Sequence, residues 1–94
     1  MITVGMNYKV REGKEQVFED AFHSLTASLQ GMPGHIATQL FRDLDSPRTY
    51  LILSEWGDKQ SFDGFVGSER WARIAHWGRQ EILEERPTHE IFER

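Results

Sequence analysis

Apolar and polar residues alternate along the first ten positions of the chain. One side of an extended strand there is apolar and carries Val4, Met6, Tyr8 and Val10. The other side is small or polar and carries Gly5, Asn7 and Lys9. Because side chains of a strand alternate with a period of two, the pattern predicts a β-strand over residues 2–10.

The pattern then changes to a helical spacing over residues 14–30, with one apolar face formed by Phe18, Phe22, Leu25 and Leu29. Gly31, Pro33 and Gly34 end this helix. Residues 35–44 and 49–56 predict two strands, and the polar turn between them makes a hairpin.

Two further helices and a strand complete the predicted elements. Residues 58–66 favour a short helix with Asp58 as its cap, and a second helix begins near Ser68. Pro87 bars its continuation, and residues 88–93 predict a last strand.

The predicted order β-α-β-β-α-β is the ferredoxin-like arrangement, an α+β fold with helices on one face of a four-stranded antiparallel sheet. The chain has 94 residues, which favours a single domain over residues 1–94. Strand one is apolar on the side carrying Val4 and Tyr8, so we expect an apolar sheet face outside the helix layer. A second copy packed sheet against sheet would cover it, which predicts a symmetric homodimer.

Charge and composition narrow the class of protein. Fifteen acidic residues against eleven basic ones give a net charge of −4, which argues against a nucleic-acid partner. The sequence shows neither a signal-peptide pattern nor an apolar run of the roughly 20 residues that a membrane span needs. It contains no cysteine, and we expect a cytoplasmic protein without a membrane partner.

The run MPGHIATQLFRDLDSPRTYLILSEW, residues 32–56, resembles the central hairpin of the antibiotic biosynthesis monooxygenase superfamily. The similar features are a Pro33–Gly34 turn, an Asp-containing turn and a strand ending in Glu55–Trp56. The resemblance continues through residues 58–76 and extends over nearly the whole chain. It implies a ferredoxin-like fold that dimerises into a shared β-barrel, with a small-molecule pocket between helices and sheet in each subunit. Members include cofactor-free oxygenases of phenolic, polyketide-like substrates and haem-degrading enzymes, and others have no established activity.

The candidate site follows from the facing of the first strand. If the even-numbered residues face the dimer barrel, Thr3, Gly5 and Asn7 face the helices, and their small side chains leave room for a pocket. The resemblance to the haem-degrading members implies a distal Asn on this strand, a Trp on the short helix and a His that ligates the iron. Asn7 matches the first, Phe65 or Trp71 stands at the second, and His76 is the candidate for the third.

Each candidate also has a purely structural interpretation. Asn7 could bond neighbouring backbone, Trp71 could belong to the core, and His76 points away from the apolar side of its helix unless a kink or bulge near Gly78 turns it. Three hypotheses therefore stay open. The protein is a monooxygenase that needs no cofactor, a haem-degrading monooxygenase with His76 as axial ligand, or a dimeric binding module without catalysis.

Overall fold

The computed structural model describes residues 1–93 and shows a four-stranded antiparallel sheet with helices packed on one face. The strands are β1 (Ile2–Lys9), β2 (His35–Arg42), β3 (Thr49–Trp56) and β4 (Thr88–Glu93). The helices are α1 (Glu15–Leu29), α2 (Lys59–Val66) and α3 (Glu69–Trp77), and a π-helical turn (Gly78–Ile82) follows α3. The strand order β2-β3-β1-β4 is that of a ferredoxin-like sheet, so the predicted fold class is confirmed.

Helix α1 lies across the sheet and buries the apolar face that the sequence predicts, formed by Phe18, Phe22, Leu25 and Leu29. Gly13, at φ +84°, makes the turn before it, and its N–H donates to the Glu15 carboxylate at 2.7 Å. Among the helices of residues 1–93, none combines the length and the apolar character that crossing a membrane requires.

Side-chain caps fix where α2 and α3 begin. The Asp58 carboxylate accepts a hydrogen bond from the Ser61 N–H at 2.7 Å, and the Ser68 hydroxyl accepts one from the Trp71 N–H at 3.2 Å. The Ser68 hydroxyl also donates to the Phe65 carbonyl at 2.6 Å. One serine thus joins the end of α2 to the start of α3 and sets the position of Trp71.

The facing of β1 is the reverse of the expectation from the sequence. Ile2, Val4, Tyr8 and Val10 are buried with the apolar residues of the helices, whereas Asn7 is exposed on the opposite side of the sheet. The expectation was wrong because it reserved the helix side for small residues to make a pocket. The apolar face of α1 instead needs the larger apolar side chains of β1 to exclude water from the core.

The side of the sheet away from the helices, which we call the open face, carries the odd-numbered residues of β1 and their neighbours. Its apolar members are Ala37, Phe41, Leu51, Leu53 and Phe92. A Cβ built on Gly5 would meet Leu51 Cδ1 at 3.6 Å, an ordinary contact, so nothing in the chain requires a glycine there. The glycine leaves a shallow dip between two leucines on this face.

The π-helical turn redirects the chain from α3 into the core. Its wide hydrogen bond runs from the Leu83 N–H to the Gly78 carbonyl at 2.8 Å, and Ile82 and Leu83 are both buried. Arg11 holds the segment to the end of β1, because its backbone N–H donates to the Ile82 carbonyl and its Nε to the Leu83 carbonyl. The helix is thus irregular near Gly78, where the sequence analysis left a kink or bulge open.

Candidate functional site

A cleft lies between α1 and the α3–π segment in the helix layer. It has two compartments, which we call the inner chamber and the outer recess. They share four lining residues and therefore lie side by side: Ala21, Leu25, Ile74 and Trp77. Clefts of this kind, lined by apolar and aromatic side chains, are the usual sites of small-molecule binding.

The inner chamber has a volume of about 80 Å³ and lies directly against the sheet. Tyr8 and Ile52 form its floor, and aromatic rings from both helical walls surround it: Phe18, Phe22, Trp71 and Trp77. At roughly 10–15 Å³ per water on this measure, it has room for several water molecules. The chamber has this space because two small residues, Ala21 of α1 and Ala75 of α3, line it between the helices.

The outer recess is more polar and has a volume of about 150 Å³. Ser24 and Ser28 line it from α1, and Arg70 lines it from α3. The Ser28 hydroxyl donates to the Leu25 carbonyl at 2.7 Å, as serines within helices often do. The cleft thus changes from an aromatic interior to a hydrogen-bonding rim.

Two tyrosines on the helix side of the sheet are held in their neutral form. Burial raises the pKa of Tyr8 well above its ordinary value, and its hydroxyl has only a long contact to Met6 Sδ, at 3.5 Å. Burial and, second, a hydrogen bond to Glu19 raise the pKa of Tyr50 to about 12. The Tyr50 hydroxyl donates to Glu19 Oε2 at 2.6 Å. The Tyr8 phenol is therefore the one of the two that can turn to a ligand in the chamber.

Of the predicted site residues, the structure brings Trp71 and Phe65 together. Trp71 lines the inner chamber, and the centres of the two rings lie 5.1 Å apart. Phe65 is buried behind Trp71 and stacks on Trp56 at 5.5 Å. Phe65 thus supports the wall of the chamber without lining it.

Asn7 does not share this site. It lies on the open face of the sheet, whereas the cleft lies on the helix face, and the strand alternation places Met6 and Tyr8 on the cleft side instead. The predicted position of Asn7 inside the pocket was therefore wrong. Its catalytic role stays a prediction, without support from the cleft.

His76 is exposed near the end of α3 and does not line either compartment. The π-helical turn was expected to be able to correct its direction, but the turn begins at Gly78, after His76. The π-helical turn changes the direction of the residues that follow it. His76 precedes the turn and keeps the orientation that the regular α-helix gives it. Its role as an axial ligand also stays a prediction.

The residues of the cleft do not fit a haem held in the expected way. Its lining contains neither histidine nor cysteine, and its one phenol, Tyr8, is kept protonated by burial. Proteins ligate haem iron through an imidazole, thiolate, thioether or phenolate, and the lining contains no methionine either. Across residues 1–93, His and acidic side chains form no cluster of three or more that could hold a metal ion.

Reasoning from the sequence missed Tyr8 and Trp77 as cleft residues. Tyr8 was assigned to the opposite face of β1. Trp77 stands three residues after Ile74, which is a spacing of neighbours on one helix face, and this signal could have identified it.

The fold and the cleft define a class of protein, a ferredoxin-like domain with a small-molecule cleft between its sheet and its helices. Within this class the sequence identifies the family. The family model of the antibiotic biosynthesis monooxygenases matches residues 1–77, and the chain belongs to that family.

Individual relatives are similar over most of the chain. An uncharacterized protein of Bacillus subtilis, YczJ, is 35% identical over 71 residues, which are 71% of this chain and 75% of YczJ. A protein of Natronomonas pharaonis, provisionally named as heme-binding, is 33% identical over 93% of the chain, but the match is only 14% of that protein's length. SnoaB from Streptomyces nogalater is a cofactor-independent oxygenase. The crystal structure of a SnoaB mutant has a TM-score of 0.86 at 22% identity, covering 99% of this chain and 91% of SnoaB. At that identity, the likeness to SnoaB shows the fold alone.

Proposed function

We propose that the protein is a small monooxygenase that oxidises an aromatic substrate in the cleft, using electrons from the substrate itself. The observation that carries this proposal is an aromatic-lined chamber with a neutral phenol, Tyr8, on its floor. Membership of the monooxygenase family and the fold shared with a cofactor-independent oxygenase support it. The absence of an imidazole from the cleft lining favours a reaction without haem.

The chemistry balances without an external reductant. A ring CH₂ group that is conjugated with a carbonyl across the same ring, as in anthrone, loses two hydrogens to O₂. One oxygen atom becomes a new carbonyl, and the other leaves as water. As the CH₂ group gives up its first proton, negative charge is delocalised onto the oxygen of the carbonyl already present. A neutral phenol placed against that oxygen stabilises the charge as a hydrogen-bond donor, and this is the role we propose for Tyr8.

The other residues of the site bind and orient the substrate. Trp71 supplies an aromatic wall that holds a flat ring, and Phe65, packed behind it, keeps that wall in place. The apolar surroundings exclude water and so strengthen the hydrogen bond from Tyr8.

Replacing Tyr8 by phenylalanine should lower kcat by about 100-fold, the scale for losing one donor to a developing oxyanion. The test is oxidation of anthrone to anthraquinone in air, followed by absorbance against a protein-free blank. The fold should survive, since the Tyr8 hydroxyl makes only the long contact to Met6.

Tyr50→Phe is the matched control, because that hydroxyl bonds Glu19 and does not line the cleft. Equal rates for both variants and the wild type would contradict the role of Tyr8. A wild-type rate no higher than the blank would contradict the proposed activity on this substrate class.

Haem binding is the second candidate function, because a relative covering 93% of this chain is provisionally named as heme-binding. Titration with haemin, followed at the Soret band, decides it. Since His76 does not line the cleft, we expect no saturating shift that His76→Ala removes. His23→Ala, an exposed histidine of α1, is the control. A saturating shift lost in His76→Ala and kept in His23→Ala would establish the haem-binding function in place of the cofactor-free one.

The binding-module hypothesis predicts a chamber filled by phenylalanine and tryptophan side chains. The chamber is open instead, with about 80 Å³ of space, and this disfavours a module whose chamber is filled by its own side chains.

We also propose that a second copy of the chain covers the open face. Phe41 and Phe92 are 47% and 54% exposed there, and Leu51 and Leu53 stand beside them, half-buried. An apolar sheet face of this kind suits a symmetric interface, in which each copy covers the other.

A further inference from the structure

The charge of the cleft is opposite to the charge of the protein. The chain carries fifteen acidic residues against eleven basic ones, yet the lining of both compartments includes two arginines, Arg70 and Arg79, and no acidic residue. A negatively charged protein whose cleft is lined only by positive charge offers that cleft to an anion.

Arg70 is free to bind that anion. Within residues 1–93 it makes neither an ion pair nor a hydrogen bond through its side chain. Arg73, one turn further along α3, is different, because its guanidinium pairs with the Glu69 carboxylate at 2.8 Å on the solvent side. The i, i+4 spacing of Glu69 and Arg73 in the sequence predicts this pair, and the structure confirms it, whereas Arg70 lines the outer recess.

The residues that line the outer recess with Arg70 offer neutral hydrogen-bond donors. None of them carries a carboxylate that would compete with a bound anion for Arg70. The Ser24 hydroxyl lines the same recess, and Trp77, which borders both compartments, makes no hydrogen bond through its indole N–H within the described residues. A guanidinium with nearby hydroxyl and indole donors suits a carboxylate, which accepts several hydrogen bonds at once.

We infer that the ligand of the cleft is an aromatic carboxylate, with its ring in the inner chamber and its carboxylate in the outer recess against Arg70. This inference rests on the proposed function and narrows its substrate class. The ring packs among Tyr8, Trp71 and Trp77, and the anionic group stays at the rim, where it keeps part of its hydration. Arg79 lines the inner chamber, nine residues further along the chain, and adds to the positive field without contacting the carboxylate.

The test compares two probes of the same shape, 2-naphthoate and 2-naphthamide, by calorimetry at low salt. The wild type should bind the charged probe about tenfold more tightly, the scale for one partly solvated charge-assisted hydrogen bond. Arg70→Gln should remove this preference and leave the affinity for the amide unchanged. Arg73→Gln is the matched control on the same helix and should keep the preference, because its guanidinium pairs with Glu69 on the solvent side.

The outcomes separate this inference from the proposed function. Equal affinity of the wild type for both probes would overturn the carboxylate and leave the aromatic cleft standing. A preference that is kept in Arg70→Gln, or lost equally in Arg73→Gln, would overturn the placement at Arg70. Binding of neither probe would contradict both proposals.

Discussion

A glutamate in place of Leu53 should convert the protein from a dimer to a monomer. In a two-fold interface each substitution occurs twice, so the dimer would have to bury two carboxylates. Lys9, a cation of the open face, already pairs with Glu84 at 3.6 Å. Burying an unpaired charge costs several kcal/mol, so the dimer dissociation constant should rise by at least about 100-fold. Sedimentation velocity at micromolar concentration measures this directly.

The control is the same substitution at Leu44. This leucine is 93% exposed in the turn between β2 and β3, away from the apolar part of the open face, so Leu44→Glu should leave the dimer intact. The fold of the Leu53→Glu monomer should persist, because Leu53 is half-buried and outside both core clusters. A wild-type protein that sediments as a compact monomer would contradict the proposed dimer.

Replacing Ala21 by phenylalanine should abolish ligand binding by filling the cleft from within. Ala21 borders both compartments, so a phenyl ring there occupies space that a substrate needs. We expect affinity for an aromatic probe such as 2-naphthoate to fall by at least about 100-fold, because the cost is steric overlap rather than one lost contact. The melting temperature should stay the same or rise, since filling an apolar cavity adds contacts.

Ala27→Phe provides the comparison. Ala27 is on the same helix but exposed, and it lines neither compartment, so the same added ring should leave binding unchanged. If Ala21→Phe binds the probe as tightly as the wild type does, the ligand does not occupy this cleft. If both variants lose binding together, the effect arises from the helix and not from the cleft.

The fold was largely predictable because each element carries its own local signal. The predicted bounds of β3 and β4 match the structure, and Asp58 and Ser68 cap the helices that they were expected to start. The second predicted strand is shorter than expected, ending at Arg42, and its register shifts between His35 and Ala37. Caps, turns and alternation act over a few residues, which is why one sequence is enough to locate them.

The facing of β1 could not be predicted in the same way. Alternation defines two sets of residues on a strand, but which set meets the helices depends on how the whole helix layer buries its apolar surface. For this reason Asn7 was predicted to face the helices and Tyr8 to face away from them, which is the reverse of the structure. The candidate site therefore contains Tyr8 and not Asn7. Trp71 kept its place at the site because the apolar face of α3 determines it independently of the strand.

The pairing of β1 with β4 brings the two ends of the described chain together. Ile2 lies opposite Glu93 in the register, so the polypeptide enters and leaves the sheet on adjacent strands, about 5 Å apart. A domain with this geometry can be carried inside a longer protein through two short connections, without disturbing its own core. The geometry is compatible with the matching segment being only 14% of the Natronomonas relative. Because these strand ends are adjacent, a fusion or a circular permutation that joins them should leave the sheet and the core unchanged.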